Sequence, residues 1–254
     1  MSFAPMLMPM HSSVLLPTFG YGYAPASGTT NFTMTDIGNA YGNPSAAAVT
    51  ATIVGAIMVA TIGGRNGISH ANHTLSDNAG GAAWTKVIGH DQELGVSTAR
   101  HTVSVWWREV VSSDTSGTFT LTADDGNYAT GGLTCVQIVP DASMSWVYED
   151  GVFADSGTAD WNGLSSGNTP SLSGSDLLLI AIAGARNDTQ VNASSISFTN
   201  INDQKVANFR GSNQIAQALS IQSAGQSGGV KTTTIDTGSS VLQEGAVGIV
   251  AFSG

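Results

Sequence analysis

Two apolar runs in this chain match each other and constrain its fold more than any other feature. Residues 57–66 read IMVATIGGRN and residues 178–187 read LLIAIAGARN, so both runs end in glycine, a small residue, arginine and asparagine. Self-similarity of this kind is typical of a duplicated structural unit. The second run lies between Asp176 and Arg186 and is too short to cross a bilayer, which indicates a strand buried on both faces. We expect the first run to be a buried strand as well, although its uncharged surroundings also reach the length of a membrane span.

The match between the two copies continues further along the chain. Residues 118–122 align with 232–236, and residues 131–138 align with 245–252. The offset between the copies falls from 121 (57 to 178) to 114 (118 to 232), which one shortened loop would produce. The chain is therefore predicted to contain the same strand unit twice.

Short strands account for the rest of each copy. Val103, Val105 and Trp107 alternate with the residues between them, which is the period of two of a half-buried strand. A short strand at 84–88 aligns with one at 195–199. No window of about a dozen residues shows a helical period with caps, and Gly- and Ser-rich clusters separate the strands.

These patterns predict an all-β fold, a jelly-roll-like two-sheet β-sandwich of about ten strands with an internal two-fold repeat. The sandwich is expected to span residues 45–254, with repeat halves at about 46–142 and 171–254. The link at 141–175 carries several large aromatic side chains, which favour burial, so we expect it to add a strand. Two separate small β-domains in tandem are the alternative.

The first 44 residues differ in composition from the rest of the chain. No Asp, Glu, Lys or Arg precedes Asp36, and five of the seven prolines lie in this segment. Proline removes a backbone donor and clashes one helical turn back, so we expect residues 1–44 to form an extended apolar arm. A secretory signal needs a basic n-region followed by an unbroken apolar run, and this segment has neither.

The apolar side chains of the arm are candidates for contact with neighbouring subunits. An uncharged, methionine-rich composition suits adaptable packing against a partner better than it suits a solvated tail, although a loose terminal tail is the alternative. The candidate interface residues are Phe3, Met6, Leu7, Met8, Met10, Leu15, Leu16, Phe19, Tyr21 and Tyr23.

Composition narrows the classes of partner. The formal net charge is −10 and charged residues make up 10% of the chain, which argues against a nucleic-acid binder and against a polybasic membrane-surface protein. The single cysteine, Cys135, excludes an intrachain disulfide framework and is expected to be a small buried apolar residue. We therefore expect partners among other proteins, including further copies of this chain.

The strand pattern resembles jelly-roll β-sandwich virion proteins of tailed phages. The segments that carry the resemblance are LLLIAIA at 177–183, AWTKV at 83–87, VSVWW at 103–107 and VAFSG at 250–254, and the likeness covers residues 46–254 loosely. These segments are packing patterns, so the resemblance transfers no catalytic residues. It implies a capsid decoration, tail or fibre component located in the virion.

Two clusters have residue types found at metal sites. His70 and His73, with Asp77 nearby, are flanked by loop-forming residues and lack the rest of a zinc ligand set. The run Asp124-Asp125-Gly126-Asn127 is rich in oxygen ligands but is typical of a tight turn between strands. We predict no metal site and no cofactor.

Paired carboxylates are the remaining candidates for chemistry. Glu149, Asp150, Asp155 and Asp160 would serve glycoside hydrolysis only if two of them lay at a set separation across a cleft. The chain has no nucleophile elbow and no phosphate-binding loop. A β-sandwich hydrolase is therefore the third-ranked function, and we expect no enzyme.

Neighbouring tryptophans supply the last candidate site. Trp106 and Trp107 point to opposite faces of one strand, so one is expected to join the core while the other binds glycan, lies in a subunit interface or is covered by a loop. Our first hypothesis for function is a non-enzymatic phage structural protein, a capsid decoration or cement subunit that forms oligomers. The alternative is a tail, fibre or surface module that binds host glycan.

Overall fold

The structure, a computed structural model, is built almost entirely of antiparallel strands. It describes residues 30–42, 44–65, 69–93, 100–124, 130–156, 162–187, 195–209, 214–238 and 245–254. The 3-10 turns His70–Asn72 and Ser112–Thr115 are short helical elements within these ranges. The strands are β1 (Phe32–Gly42), β2 (Ser45–Val49), β3 (Ile57–Arg65), β4 (Thr74–Asp77), β5 (Thr85–Glu93), β6 (Arg100–Glu109), β7 (Phe119–Asp124), β8 (Thr130–Pro140), β9 (Val147–Asp155), β10 (Leu178–Asn187), β11 (Ser197–Phe198), β12 (Gln204–Phe209), β13 (Gln214–Ile221), β14 (Ile235–Asp236) and β15 (Gly245–Ser253).

Two five-stranded sheets form the body of the molecule. The first sheet has the order β1-β8-β3-β6-β5 and the second has the order β12-β13-β10-β15-β9. One hydrophobic cluster takes side chains from both sheets, including Val59 and Val105 of the first and Ile180 and Val250 of the second. The predicted all-β sandwich is confirmed, and its two halves share this central core.

Two smaller sheets cover the outer faces of the body. The sheet β2-β7-β4 packs on the first large sheet, and the pair β11-β14 packs on the second. Strand β3 is consequently buried on both faces: Ile57 and Val59 point into the central core, while Met58 and Ala60 point towards β2-β7-β4. Burial on both sides explains why this strand is a continuous apolar run instead of an alternating one.

The two copies of the repeat have the same strand register. Ile57 of β3 pairs with Ile138 of β8, and the equivalent Leu178 of β10 pairs with Phe252 of β15. The outer pairs β4-β7 and β11-β14 match in the same way. Residues that the sequence matches at offsets of 121 (β3 with β10) and 114 (β8 with β15) therefore occupy equivalent positions in the two sheets, which confirms the alignment of these strands.

One pairing of repeat elements was wrong. Residues 84–88 were aligned with 195–199, but β5 belongs to the first large sheet beside β6, whereas β11 pairs only with β14 in the outer layer. The counterpart of β5 is β12, which pairs with β13. Short strands of mixed polarity look alike in sequence, and only their sheet partners distinguish them.

The structure also corrects the predicted boundary between the arm and the sandwich. Strand β1, Phe32–Gly42, was placed in the arm at 1–44, yet it pairs with β8 along ten residues as the edge strand of the first sheet. The sandwich therefore begins before residue 45. The link at 141–175 does add a strand, β9, which pairs with β15 at the edge of the second sheet.

Candidate functional site

The described chain begins at one end of the sandwich, where it is held in place. We call this the entry end; it is the end at which β3 and β10 begin. Asn31 donates to the Asp141 carboxylate from its backbone N at 3.0 Å and from Nδ2 at 2.7 Å, and these bonds hold the pKa of Asp141 below its usual value. The backbone N of Thr30 donates to Asp176 Oδ1 at 3.3 Å. Specific contacts therefore fix the positions of Thr30 and Asn31 at the entry end.

The first residues of β1 reinforce this anchor. The Phe32 side chain is buried, with its ring centroid 6.0 Å from that of Trp146. The Gln204 side chain of β12 joins β1 to the second sheet, because Nε2 donates to Phe32 O at 2.6 Å and Oε1 accepts from Met34 N at 2.7 Å. The other end of the described chain, Gly254, lies against Met144 at the same end of the molecule.

The predicted interface residues of the arm all precede Thr30 and lie outside the described residues. They are Phe3, Met6, Leu7, Met8, Met10, Leu15, Leu16, Phe19, Tyr21 and Tyr23. Their contact with a neighbouring subunit stays a prediction.

Exposed apolar side chains lie at the same end of the molecule, on two separate segments. Three of the four exposed large apolar side chains among the described residues are here, Ile53 (44% exposed), Val54 (58%) and Val147 (54%). The buried Trp146 ties the β2–β3 loop, which carries Ile53 and Val54, to the start of β9, because its Nε1 donates to Gly55 O at 2.9 Å. We call Ile53, Val54 and Val147 the apolar end patch.

Sequence reasoning did not find this patch. Its valines and isoleucine are ordinary strand-formers, and only the tertiary structure leaves them uncovered. The fourth exposed residue, Val230 (55%), lies on the outer segment of the second half, next to the Leu172–Gly229 bridge.

The two tryptophans do face opposite sides of β6. Trp107 packs in the central core, with its ring 5.2 Å from the Phe252 ring in an edge arrangement. Trp106 packs towards the outer sheet, its Nε1 donates to Ser104 Oγ at 2.9 Å, and Lys86 Nζ lies 5.7 Å from its ring centroid. Both rings are half-buried, so Trp106 is the one with a partly open face outside the core.

His70, His73 and Asp77 are not brought together as ligands. His70 Nδ1 lies 2.8 Å from Asp91 Oδ1, whereas both ring nitrogens of His73 contact hydroxyls, at 2.7 Å from Ser104 Oγ and 3.1 Å from Thr102 Oγ1. Burial, followed by the nearby Lys86 charge, lowers the pKa of His73 to about 3. Within the part of the chain that the structure describes, no three His, Cys, Asp or Glu side chains are placed to share a metal ion.

Asp77 belongs instead to a buried charge cluster around Arg108. The guanidinium Nη2 lies 2.5 Å from Asp114 Oδ1 and 3.1 Å from Asp77 Oδ2. The same guanidinium lies 5.2 Å from the Trp84 ring and 5.8 Å from the Phe119 ring. The cluster ties β6 to the outer sheet and so has a structural role.

The candidate catalytic carboxylates have separate partners. Asp155 Oδ2 lies 2.7 Å from His90 Nε2 and joins the edge strands β9 and β5 across the sandwich. Glu149 accepts a hydrogen bond from Ser253, and Asp150 Oδ1 accepts one from the backbone N of Gly151 at 2.6 Å. Asp125 and Asp160, with Gly126 and Asn127, lie outside the described residues.

Two further titratable groups are fully buried. Cys135 is a packing residue, as expected, and burial raises the pKa of its thiol well above the usual value. His101 faces Gly184 between the two sheets, and neither of its ring nitrogens has a hydrogen-bond partner among the described residues. Burial and the neighbouring His90 lower the pKa of His101 to about 3.

A shallow polar depression lies at the entry end of the second half. Its lining residues are Asn200, Ile201, Asn202, Asp203, Gln222 and Gln226. Asp203 Oδ2 accepts hydrogen bonds from Ser223 N and Oγ at 3.0 and 2.7 Å, which hold the pKa of Asp203 below its ordinary value. Amide and carboxylate groups of this kind can hydrogen-bond a polar ligand.

Comparison with protein-family models, with curated proteins and with solved structures finds no match for this chain. Among the described residues, no helix is long and apolar enough to cross a membrane.

Proposed function

We propose that this chain is a non-enzymatic structural protein of a phage virion, a capsid decoration or cement subunit that bridges its neighbours. The observation that carries the proposal is the apolar end patch beside the anchored Thr30, where an uncharged N-terminal stretch joins the sandwich. Exposed apolar patches are typical of protein–protein contact sites. The proposed location in a phage virion rests on the resemblance of the strand pattern to jelly-roll virion proteins.

The interior of the molecule supports the same proposal. Arg108 is paired with carboxylates, His73 contacts hydroxyls, and Asp155 bridges the two sheets through His90. In the part of the chain that the structure describes, the contacts of these charged and polar groups hold layers of the sandwich together. A rigid block that joins neighbours by buried area needs no further chemistry.

Deletion of residues 1–29 tests the proposal. The truncated chain keeps Thr30 and Asn31 with their carboxylate partners, so we expect its thermal unfolding midpoint to change little. We expect it to be absent from purified particles that incorporate the full chain, as measured by quantitative mass spectrometry of particle proteins. Full incorporation of the truncated chain would contradict the proposal, and hundreds of copies per particle would distinguish a shell role from a tail role.

A glycan-binding surface module is the second candidate, and the polar depression favours it. Its exposed Asn202 and Asp203 offer amide and carboxylate groups of the kind that bind sugar hydroxyls. A glycan array tests it with the variants Asn202→Ala and Trp106→Ala. Binding that either substitution removes would favour this function over the structural one, whereas an array without any specific signal would eliminate it.

A further inference from the structure

The two large sheets meet along both of their edges, and the internal repeat relates one edge to the other. β5 contacts β9 along one edge, and β1 contacts β12 along the other. We call these contacts the β5–β9 seam and the β1–β12 seam. Because β5 is equivalent to β12 and β1 is equivalent to β9, the repeat superimposes each seam on the other.

Different chemistry closes the two seams at matched positions. His90 of β5 and Asn208 of β12 occupy equivalent register positions. Asn208 Nδ2 donates to Thr134 Oγ1 across the sandwich at 3.0 Å, and Gln204 adds its hydrogen bonds to β1, so neutral amides hold the β1–β12 seam. At the β5–β9 seam His90 Nε2 lies 2.7 Å from Asp155 Oδ2, so this seam depends on two titratable groups.

A buried histidine adjoins the titratable seam. His101 lies on β6, the strand that pairs with β5, and its ring faces Gly184 of the opposite sheet without a hydrogen-bond partner among the described residues. Burial of an unpaired charge is costly, so protonation of His101 favours a conformation in which water reaches the ring. The matched residue in the other half is Ile215, which does not titrate.

The titratable neighbours of His101 do not compensate its charge. Among the described side chains they are His90 on β5 and His73, which lies on the other face of β6, while Asp155 of β9 is bound to His90. Protonated His90 or His73 would repel a protonated His101. Charged residues also occupy the adjoining register positions of the neighbouring strands, namely Arg65, Glu93, Arg100 and Arg186.

We propose that the β5–β9 seam opens in mild acid while the β1–β12 seam stays closed. Opening separates the His90 ring from the Phe153 ring that stacks on it, with centroids 6.2 Å apart, and exposes the inner faces of β5 and β9 to water. The inference concerns the conformation of the sandwich and does not depend on the proposed role in a virion. It gives the chain a response to pH that is confined to one edge.

Hydrogen exchange of the full chain, followed by mass spectrometry at pH 7.5 and pH 4.5, tests the proposal. After correction for the intrinsic pH dependence of exchange, we expect the opening equilibrium constant of β5 and β9 to rise about a hundredfold, which is tenfold for each of the two pH units below 6.5. Protection of β1 and β12 should stay nearly constant. Equal acceleration in all four strands, or constant protection in β5 and β9, would overturn the proposal.

Two substitutions of His101 assign the effect to this residue. His101→Gln keeps a polar side chain without the titration, and His101→Ile installs the residue type of position 215. We expect the rise at pH 4.5 to disappear in both, while wild-type protection of β3 and β10 at pH 7.5 shows that each variant is folded. A rise that persists in the folded variants would also contradict the proposal.

The matched control lies on the other seam. Gln204→Ala removes the hydrogen bonds to Phe32 O and Met34 N, so we expect faster exchange of β1 and β12 by the same factor at both pH values. A pH-dependent increase at the β1–β12 seam of this variant would show that neutral and titratable seams respond alike, and the proposal would fail.

Discussion

The two halves of the sandwich have the same register but differ in the layer that covers each sheet. The outer-facing positions of β6 are Thr102, Ser104, Trp106 and Arg108, and the matched positions in the second half are Ala216, Ala218, Ser220 and Gln222. The first half therefore buries a charge cluster and histidine under its outer sheet, whereas the second half packs small residues under a long irregular segment. A shared backbone register tolerates two different outer layers because the two large sheets pack on each other through the faces that point away from those layers.

Breaking the charge cluster should cause the largest loss in free energy of unfolding. A loss of this size is expected only in the first half, because the second half has no such cluster at the matched positions. Asp114→Ala leaves the buried Arg108 guanidinium without its closest partner, and the expected loss in free energy of unfolding is about 3–5 kcal/mol. Urea unfolding measures it. The matched control is Gln222→Ala at the repeat position of Arg108, which should cost less than about 1 kcal/mol. Similar losses for both variants would mean that the cluster does not distinguish the halves.

Truncation on the shared inner face should affect both halves alike. Ile57 and Leu178 occupy matched positions, are fully buried and point into the central core. Each substitution to alanine is expected to lower the free energy of unfolding by about 2–5 kcal/mol, in one cooperative transition. Calorimetry of both variants checks this. Two separate transitions, or a large loss for only one variant, would indicate that the halves unfold as independent domains.

The pH dependence of stability should follow the histidines of the first half, since residues 171–254 contain none. The pKa of His101 is lowered to about 3 in the folded state, so the unfolded chain binds the extra proton first as the pH falls below about 6.5. Stability contributed by neutral His101 is therefore present above about pH 6.5 and is lost progressively towards pH 3.

His101→Ile, which installs the residue type of the matched position 215, removes this titration. Compared with the wild type, the slope of unfolding free energy between pH 6 and 4 should fall by about 1.4 kcal/mol per pH unit. Urea unfolding at a series of pH values measures the slope. An unchanged slope would show that His101 finds a partner for its protonated form in solution.

The smallest effect is expected at Cys135, whose counterpart in the second half is Ile249. Both are fully buried, so Cys135→Val keeps an apolar side chain of similar size and should change stability by less than about 1.5 kcal/mol. The wild-type thiol should react with a thiol reagent only after denaturation. Rapid labelling of the native protein would mean that the first half opens locally around Cys135.

The strands buried on both faces were the most predictable part of the fold. β3 and β10 are long apolar runs with matching ends, so both their type and their equivalence are visible in the sequence. β1 was missed as a sheet strand because it is an edge strand with Asp36, Gly38 and Asn39 around a bulge, which weakens any alternating pattern.

The charge cluster could not be predicted in the same way. Arg108 meets Asp77 only because the outer sheet folds over the first large sheet, and nothing local pairs these two residues. The apolar end patch depends likewise on which side chains the tertiary structure leaves uncovered. One feature of the sequence does point to the cluster. Arg108 is one of only eight Lys and Arg residues, and it lies at an outer-facing position of a strand.

Both ends of the described chain contact the segment that follows β8. Asp141 N donates to Asn31 O at 2.9 Å, and Gly254 lies against Met144. Any tag or reporter attached after Gly254 will therefore emerge next to the apolar end patch and compete with whatever docks there. Internal labels on the exposed outer segment near Val230 are the safer choice for imaging or affinity capture, and a permuted chain with its two ends linked here should retain every strand pairing.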